Sequence, residues 1–155
     1  MTKKSPLFTI GYEQMPHATV LDELVGAKVD VLVDVRAVSA SRRPGFSKRQ
    51  LAASLDERSI GYLHLRGLGT PTEGRQAARS GRFDELFRIF EAHLKTPQAR
   101  EELDELTSLV RAGRRVCLLC YERDPAQCHR RRVAEIVNAR TGAKIEHLIP
   151  KLFET

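Results

Sequence analysis

Apolar positions along the chain follow two rhythms that alternate from one end to the other. Short, nearly continuous aliphatic runs of strand length are followed by stretches in which apolar residues recur every three or four positions, the helical period. Leu7-Phe8-Thr9-Ile10 is the first run and ends at Gly11-Tyr12-Glu13. Pro16 then opens a helix with Val20, Leu21, Leu24 and Val25 as its apolar stripe, and Gly26 is placed to close it. Val29-Asp30-Val31-Leu32-Val33-Asp34-Val35-Arg36 is β-branched and almost wholly apolar, the composition of a central parallel strand buried on both faces.

The second helix has a marked start. Ser47 and Gln50 stand at capping-box spacing, Phe46 and Leu51 at hydrophobic-staple spacing, and Leu51 and Leu55 face inward. Tyr62-Leu63-His64-Leu65 is a third strand. From Arg66 to Gly81 neither period is visible, and the glycines and Pro71 there predict a long, arginine-bearing loop. Phe83, Leu86, Phe87, Phe90 and Leu94 restore a helical stripe. Thr96-Pro97 starts another helix, with Leu103, Leu106 and Val110 inward and Gly113 as its stop.

Val116-Cys117-Leu118-Leu119-Cys120-Tyr121-Glu122 is the fourth strand, apolar until its end. Asp124 as N-cap, Pro125 at N1 and Gln127 at N3 predict a helix from there, with His129, Val133, Ile136, Val137 and Arg140 inward. Lys144 to Pro150 supplies a fifth strand. Alternating strands and helices predict an α/β domain over residues 1–155: an open, mostly parallel five-stranded sheet, Rossmann-like or flavodoxin-like, with helices on both faces. The first and fourth strands are expected as central neighbours. Ligands of such sheets bind at the carboxyl ends of the strands, near a topological switch point.

Composition narrows this picture. A chain of 155 residues with 41% apolar content can build one continuous core, and no apolar stretch approaches the roughly 20 residues of a membrane span. The basic start Met1-Thr2-Lys3-Lys4-Ser5-Pro6 lacks an apolar leader, so a cytoplasmic protein is expected. Three cysteines cannot all pair within a monomer, which points to free thiols. The net charge of +6, carried mostly by arginine, suits an anionic partner, either a small molecule or nucleic acid. Because the acidic residues are interspersed rather than segregated, a solvated surface is the simpler explanation.

The candidate chemistry gathers at the predicted strand ends. Asp34 and Arg36 are two apart on a strand and project from one face, to hold a ligand or to pair with each other. A buried aspartate there requires a bonded partner. Cys120 and Glu122 repeat the arrangement on the fourth strand. Cys128 and His129 fall in the first turn of the next helix, where free N–H groups favour a thiolate.

Three readings of these residues compete: a cysteine nucleophile with His129 as base, a metal site of Cys120, Cys128 and His129, or buried packing cysteines beside a hydrogen-bonded histidine. Cys117 and Cys120 are an odd offset apart on a strand, so their sulfurs point to opposite faces, and no metal or other cofactor is expected. Of Arg130, Arg131 and Arg132, one or two at most can face the pocket with His129. With Arg36, Arg42, Arg43, Arg66 and Arg75 they would surround a phosphate-bearing ligand.

Several segments occur together in order: Thr9 to Glu13, Leu32 to Arg36, Ser41-Arg42 through Pro44-Gly45-Phe46-Ser47, Tyr62-Leu63-His64-Leu65 to Leu68-Gly69, and Leu119-Cys120-Tyr121-Glu122 through Cys128-His129-Arg130. On these the chain resembles the family known as domain of unknown function 488. The resemblance covers nearly the whole chain and implies an α/β fold with its motifs at strand ends. It implies no particular reaction. A lesser likeness, to rhodanese-type sulfurtransferases, rests on a strand ending in Asp34-Val35-Arg36 and a cysteine at a strand terminus. It departs where Glu122 and Asp124 follow Cys120 and oppose an anionic sulfur donor. Cysteine phosphatases carry an arginine six positions after the nucleophile, where this chain has Ala126.

The expected function is therefore an enzyme-like domain binding a phosphate-bearing ligand, a nucleotide or a nucleic-acid end. Asp34, Cys120, Glu122, Cys128 and His129 are its reactive candidates, and Gly11, Glu13, Arg36, Arg42, His64 and Arg130 its ligand-binding candidates. A non-catalytic nucleic-acid-binding module and a cysteine-dependent sulfurtransferase are the alternatives.

Overall fold

A computed structural model of the protein describes residues 5–150. Five strands, β1 (Leu7–Gly11), β2 (Val31–Asp34), β3 (Gly61–His64), β4 (Val116–Cys120) and β5 (Ile145–Leu148), form one sheet in the order β3-β2-β4-β1-β5. All the pairings are parallel. The expected open α/β sheet is present, with β1 and β4 adjacent. Helices α1 (His17–Gly26) and α2 (Lys48–Asp56) carry the chain from β1 through β2 to β3. Helices α3 (Thr72–Arg79), α4 (Phe83–His93), α5 (Pro97–Arg111) and α6 (His129–Thr141) follow, the first three before β4 and the last before β5. The chain thus winds outward to β3 and returns to insert β4 between β2 and β1. The carboxyl ends of these three strands lie where the direction of winding reverses.

Alternation along the strands divides the core in two. Leu32, Cys117, Leu119, Phe8 and Ile10 pack with α1 and α2 residues such as Leu21, Leu24, Leu51 and Leu55. Val31, Val33, Val35, Val116, Leu118 and Cys120 pack on the other face against α4, α5 and α6, through Phe90, Leu106 and Val133 among others. Cys117 and Cys120 therefore lie on opposite faces, as their spacing requires.

Several local expectations change. The segment read as a loop contains a 3₁₀ turn at Arg66–Leu68 and then α3. Helix α3 hides from a hydrophobic count because it docks through Gly74 and Ala77, its only buried residues. A Cβ on Gly74 would lie 2.5 Å from Thr70 Cγ2. Val25 leaves the α1 stripe and is 49% exposed. That helix ends at Gly26 as expected, with Ala27 as its C-cap, and Lys28 makes the left-handed turn beyond it at a φ of 56°. Ser47 does precede α2, yet no capping box forms: its hydroxyl bonds Ser41, and Gln50 Oε1 accepts from the Gly45 amide. Asp124 caps only the 3₁₀ turn Pro125–Gln127, and α6 begins at His129 with Cys128 as its N-cap. At the far end of α6, Arg140 is exposed rather than inward.

The tightest approach joins the ends of β1 and β4. Gly11 sits opposite Cys120, and the pairing continues through Tyr12 N to Cys120 O and Glu13 N to Tyr121 O. A Cβ at Gly11 would stand 1.7 Å from the Glu122 carbonyl oxygen, closer than any packing permits. The obstacle is main chain, which does not swing aside. Gly11→Ala is thus expected to destabilise the protein by about 3 kcal/mol, the upper end for overpacking. Urea denaturation should show a lower midpoint at unchanged slope.

Candidate functional site

At the end of β2, Asp34 is fully buried and its carboxylate is saturated. Oδ1 accepts from the Arg36 backbone amide (3.0 Å) and Nε (2.8 Å). Oδ2 accepts from Arg36 Nη2 (2.6 Å) and the Tyr62 hydroxyl (2.5 Å). The remaining Arg36 nitrogen, Nη1, donates to the Tyr12 hydroxyl (3.1 Å) and the Phe46 carbonyl (2.8 Å). Burial works against the Arg36 charge, but Asp34 outweighs it and the guanidinium is held more firmly protonated than usual. Burial and the bond to Asp34 likewise push the Tyr62 phenol up. His64 Nε2 donates to the Arg36 carbonyl at 2.7 Å.

On the other side of β2, the end of β4 and the start of α6 bring two sulfurs and an imidazole together. Cys120 Sγ lies 3.6 Å from His129 Nδ1 and 3.3 Å from Glu122 Oε2. Cys128 Sγ is 4.0 Å from the same Nδ1 and accepts the Arg130 backbone N–H at 3.5 Å. His129 Nε2 meets the Val35 carbonyl at 2.7 Å. A carbonyl can only accept, so Nε2 carries the proton and Nδ1 is the nitrogen turned to the sulfurs.

Electrostatics separates the two thiols. For Cys128, burial alone would raise the thiol. The hydrogen bond from Cys120, the His129 charge and hydrogen bond, and Arg130 outweigh it and hold Cys128 well below its usual range. Burial raises Cys120, and its bond to Cys128 and the charges of Cys128 and Glu122 raise it further. Burial opposes the charged form of His129, but the Cys128 charge and the Val35 carbonyl win and its basicity rises. Glu122 is pushed up to about 7 by burial and by Cys128. On the opposite face of the sheet, burial raises the Cys117 thiol.

A cavity of about 450 Å³ opens on this cluster. Cys120, Glu122 and His129, from the end of β4 to the start of α6, line it together with Arg75 and Arg79 of α3 and with Glu13, Arg36 and Phe83. Of the residues expected from sequence, Asp34, Cys128, Arg42, His64 and Arg130 are not among the lining side chains. Asp34 supports Arg36 from behind, and Cys128 supports Cys120 and His129. Arg42 is exposed. Arg130 is wholly buried and donates to the Glu122 and Arg123 carbonyls. Arg131 instead lies over the Phe87 ring and Arg132 pairs with Glu91. Gly11 permits the close crossing of Glu122, and Glu13 accepts the Arg123 amide through Oε1 at 3.2 Å.

Sequence reasoning missed Tyr12, Tyr62 and Arg79. Tyr12 stacks on Phe46 at 4.4 Å between centroids, and Arg79 follows Arg75 by one helical turn. That spacing was the available signal, and it has meaning only once α3 is known to be a helix.

A family model described as domain of unknown function DUF488 matches residues 17–137. The chain belongs to this family. The DUF488 match runs from the start of α1 through most of α6, so it contains α3 and both clusters apart from Tyr12. No curated protein and no solved structure matches the chain.

The buried pair at the end of β2 is expected to be costly to split. Asp34→Ala leaves a buried guanidinium unpaired and should lose about 3–5 kcal/mol of stability, measured by urea denaturation. The Asp34→Ala, Arg36→Ala double variant should lose less than the sum of the single variants. The thiols should differ in access. In reduced, chelator-treated protein, iodoacetamide is expected to modify Cys120 and Cys128, the thiols at the cavity end of the sheet, before Cys117, which reacts only on unfolding. Mass-spectrometric mapping against time reads the order.

Proposed function

We propose that this protein is an enzyme-type domain that admits a small anionic molecule of the phosphate class to its strand-end cavity and acts on it there. One observation carries the reading: a single cavity has Arg75 and Arg79 on one wall and Cys120, Glu122 and His129 on another. Arginine recognises phosphate and carboxylate oxygens through parallel N–H donors. The other wall offers the Cys120 thiol within hydrogen-bonding reach of both the Glu122 carboxyl group and the His129 imidazole, groups that transfer protons or attack an electrophilic centre. Glu122, beside Cys120, is the proton carrier by position.

The roles expected for some residues change in this reading. Asp34 accepts four hydrogen bonds and acts as a positioning residue for Arg36 rather than as an acid or base. Arg130 shapes the Glu122–Arg123 turn instead of holding the anion. Glu122 beside Cys120 counts against a persulfide anion, and so against sulfur transfer.

A nucleic-acid-binding module would draw on the arginine surface, yet many arginines are engaged within the chain. Arg115 donates to the Ala27 and Lys28 carbonyls, Arg43 to the Met15 carbonyl, and Arg140 pairs with Asp104. Such residues have fewer donors free for a phosphate backbone.

Calorimetric titration with inorganic phosphate and nucleoside monophosphates tests the reading. Saturable binding is expected. Arg75→Ala and Arg79→Ala should each weaken it about tenfold, or about 1.4 kcal/mol, with a shallow salt dependence. Binding only to polymeric DNA or RNA, falling steeply with salt and indifferent to Arg75→Ala, would transfer the assignment to the nucleic-acid module.

A further inference from the structure

We infer that Cys120, Cys128 and His129 together bind one divalent transition-metal ion of the zinc class, with its fourth coordination position turned to the cavity. Two thiolate sulfurs and an imidazole nitrogen are the donors that borderline-soft ions select over magnesium or calcium. The three ligand atoms all lie within 4.8 Å of one another, and the three residues are buried. Tetrahedral zinc, with bonds of about 2.3 Å to sulfur and 2.0–2.1 Å to nitrogen, holds its ligand atoms roughly 3.5–3.8 Å apart. Cys120 Sγ is already 3.6 Å from His129 Nδ1, and Cys128 Sγ is 4.0 Å from it. Both sulfur–nitrogen distances are thus within a few tenths of an ångström of a coordination sphere, and the two sulfurs lie no more than 4.8 Å apart.

The surroundings favour the same conclusion independently. Metal-bound histidines give their other ring nitrogen to a carbonyl or carboxylate, which fixes the tautomer and the ring orientation. His129 does this through Nε2 to the Val35 carbonyl, leaving Nδ1 directed at the sulfurs. Cys128 caps α6 and takes the Arg130 N–H on its sulfur, a bond that stabilises a thiolate. The ligands come from the end of a central strand and the first turn of a helix, both held by the core. Each ligand gives one lone pair, and protons displaced from sulfur or from Nδ1 pass to water.

The sequence pointed away from a metal because its only C-x-x-C, Cys117 to Cys120, straddles the sheet. The metal set instead skips Cys117 and joins Cys120 to Cys128-His129 across the turn. Two of its members, Cys120 and His129, line the cavity while Cys128 lies behind them. The remaining position on the ion therefore faces the cavity, beside Glu122. A site with three protein ligands and one open position is the pattern of reactive rather than purely structural zinc.

This inference does not depend on the anion reading, and its test uses no anionic ligand. The full chain, reduced and freed of metal, is titrated with Co²⁺ alone. A thiolate-to-cobalt charge-transfer absorption and intense tetrahedral d–d bands should saturate at one equivalent, and Zn²⁺ should abolish both. Cys128→Ser should roughly halve the charge-transfer intensity. Cys120→Ser and His129→Ala should weaken the metal by about a hundredfold or more, while Cys117→Ser changes neither spectrum nor affinity. Glu122→Gln should stay within about tenfold of the parent.

Bound Zn²⁺ should protect Cys120 from iodoacetamide in the folded parent protein, a readout that needs no variant to fold. The inference is overturned if folded, reduced protein gives no charge-transfer band, or if Cys128→Ser retains the parent's spectrum and affinity. A hundredfold loss in Glu122→Gln would overturn the open position by making Glu122 a ligand. Phosphate binding that survives with no metal effect would leave the anion reading standing alone, and metal binding without phosphate binding would do the reverse.

Discussion

A carboxylate without exposed surface, and a guanidinium two residues beyond it, hold the strand ends in place. Asp34 and Arg36 are each desolvated, and neither is tolerable without the other. Their bonds reach β3 through Tyr62, the segment after β1 through Tyr12, and the approach to α2 through Phe46. Four separate pieces of chain thereby converge on one charge pair. Val35, fixed between the two, donates its amide N–H to the Leu119 carbonyl and accepts His129 Nε2–H on its own carbonyl. The pair on one face of β2 thus sets the orientation of an imidazole on the other. Buried ion pairs rarely add net stability over an apolar alternative, and fixing a geometry is the better-attested use of one.

The same economy governs other arginines. Arg130 has no exposed surface and is directed at the carbonyls of Glu122 and Arg123, the stretch that crosses over Gly11. Arg115 reaches back to the end of α1, and Arg43 binds the carbonyls after β1. Loops at the ends of parallel strands expose carbonyls that no neighbouring strand satisfies, and a guanidinium covers two or three at once. A net charge of +6 is in part the consequence of building the molecule this way, so it says less about partners than it suggests.

Strands β1, β2 and β4 were legible because a strand buried on both faces is almost wholly apolar, whereas the edge strands β3 and β5 are only partly buried and mix apolar with polar residues. The Asp34-Val35-Arg36 and Cys120-Tyr121-Glu122 triplets were legible as site residues for the same reason: polar side chains at the ends of such runs have few alternative roles. Helix α3 was not legible. Its packing face is Gly74 and Ala77, and close approach through small residues leaves no hydrophobic stripe to count. Cap chemistry was half legible. Ser47 and Asp124 both bond nearby backbone, but the competing local geometries, a Ser41 bridge and a 3₁₀ turn, satisfy the same side chains as the expected caps would. Arg42 illustrates the limit of listing arginines: its neighbour Arg43 turns inward to the Tyr12 and Met15 carbonyls while Arg42 faces outward.

The two walls of the cavity differ in how they are specified, and this bears on how the site can change. Cys120, Glu122 and His129 stand on β4, its exit turn and α6, where the sheet register, the Gly11 crossing and the Val35 carbonyl fix each position. Arg75 and Arg79 stand on a two-turn helix held chiefly against α4 through two small residues. Shifting or resurfacing α3 alters which groups face a ligand without disturbing the opposite wall, because no strand pairing or buried charge runs through it. Under the proposed function, reactivity is tied to the core of the sheet, and selection of the ligand to a helix packed outside it. On that reading, the chemistry would be kept while α3 changes what the cavity accepts.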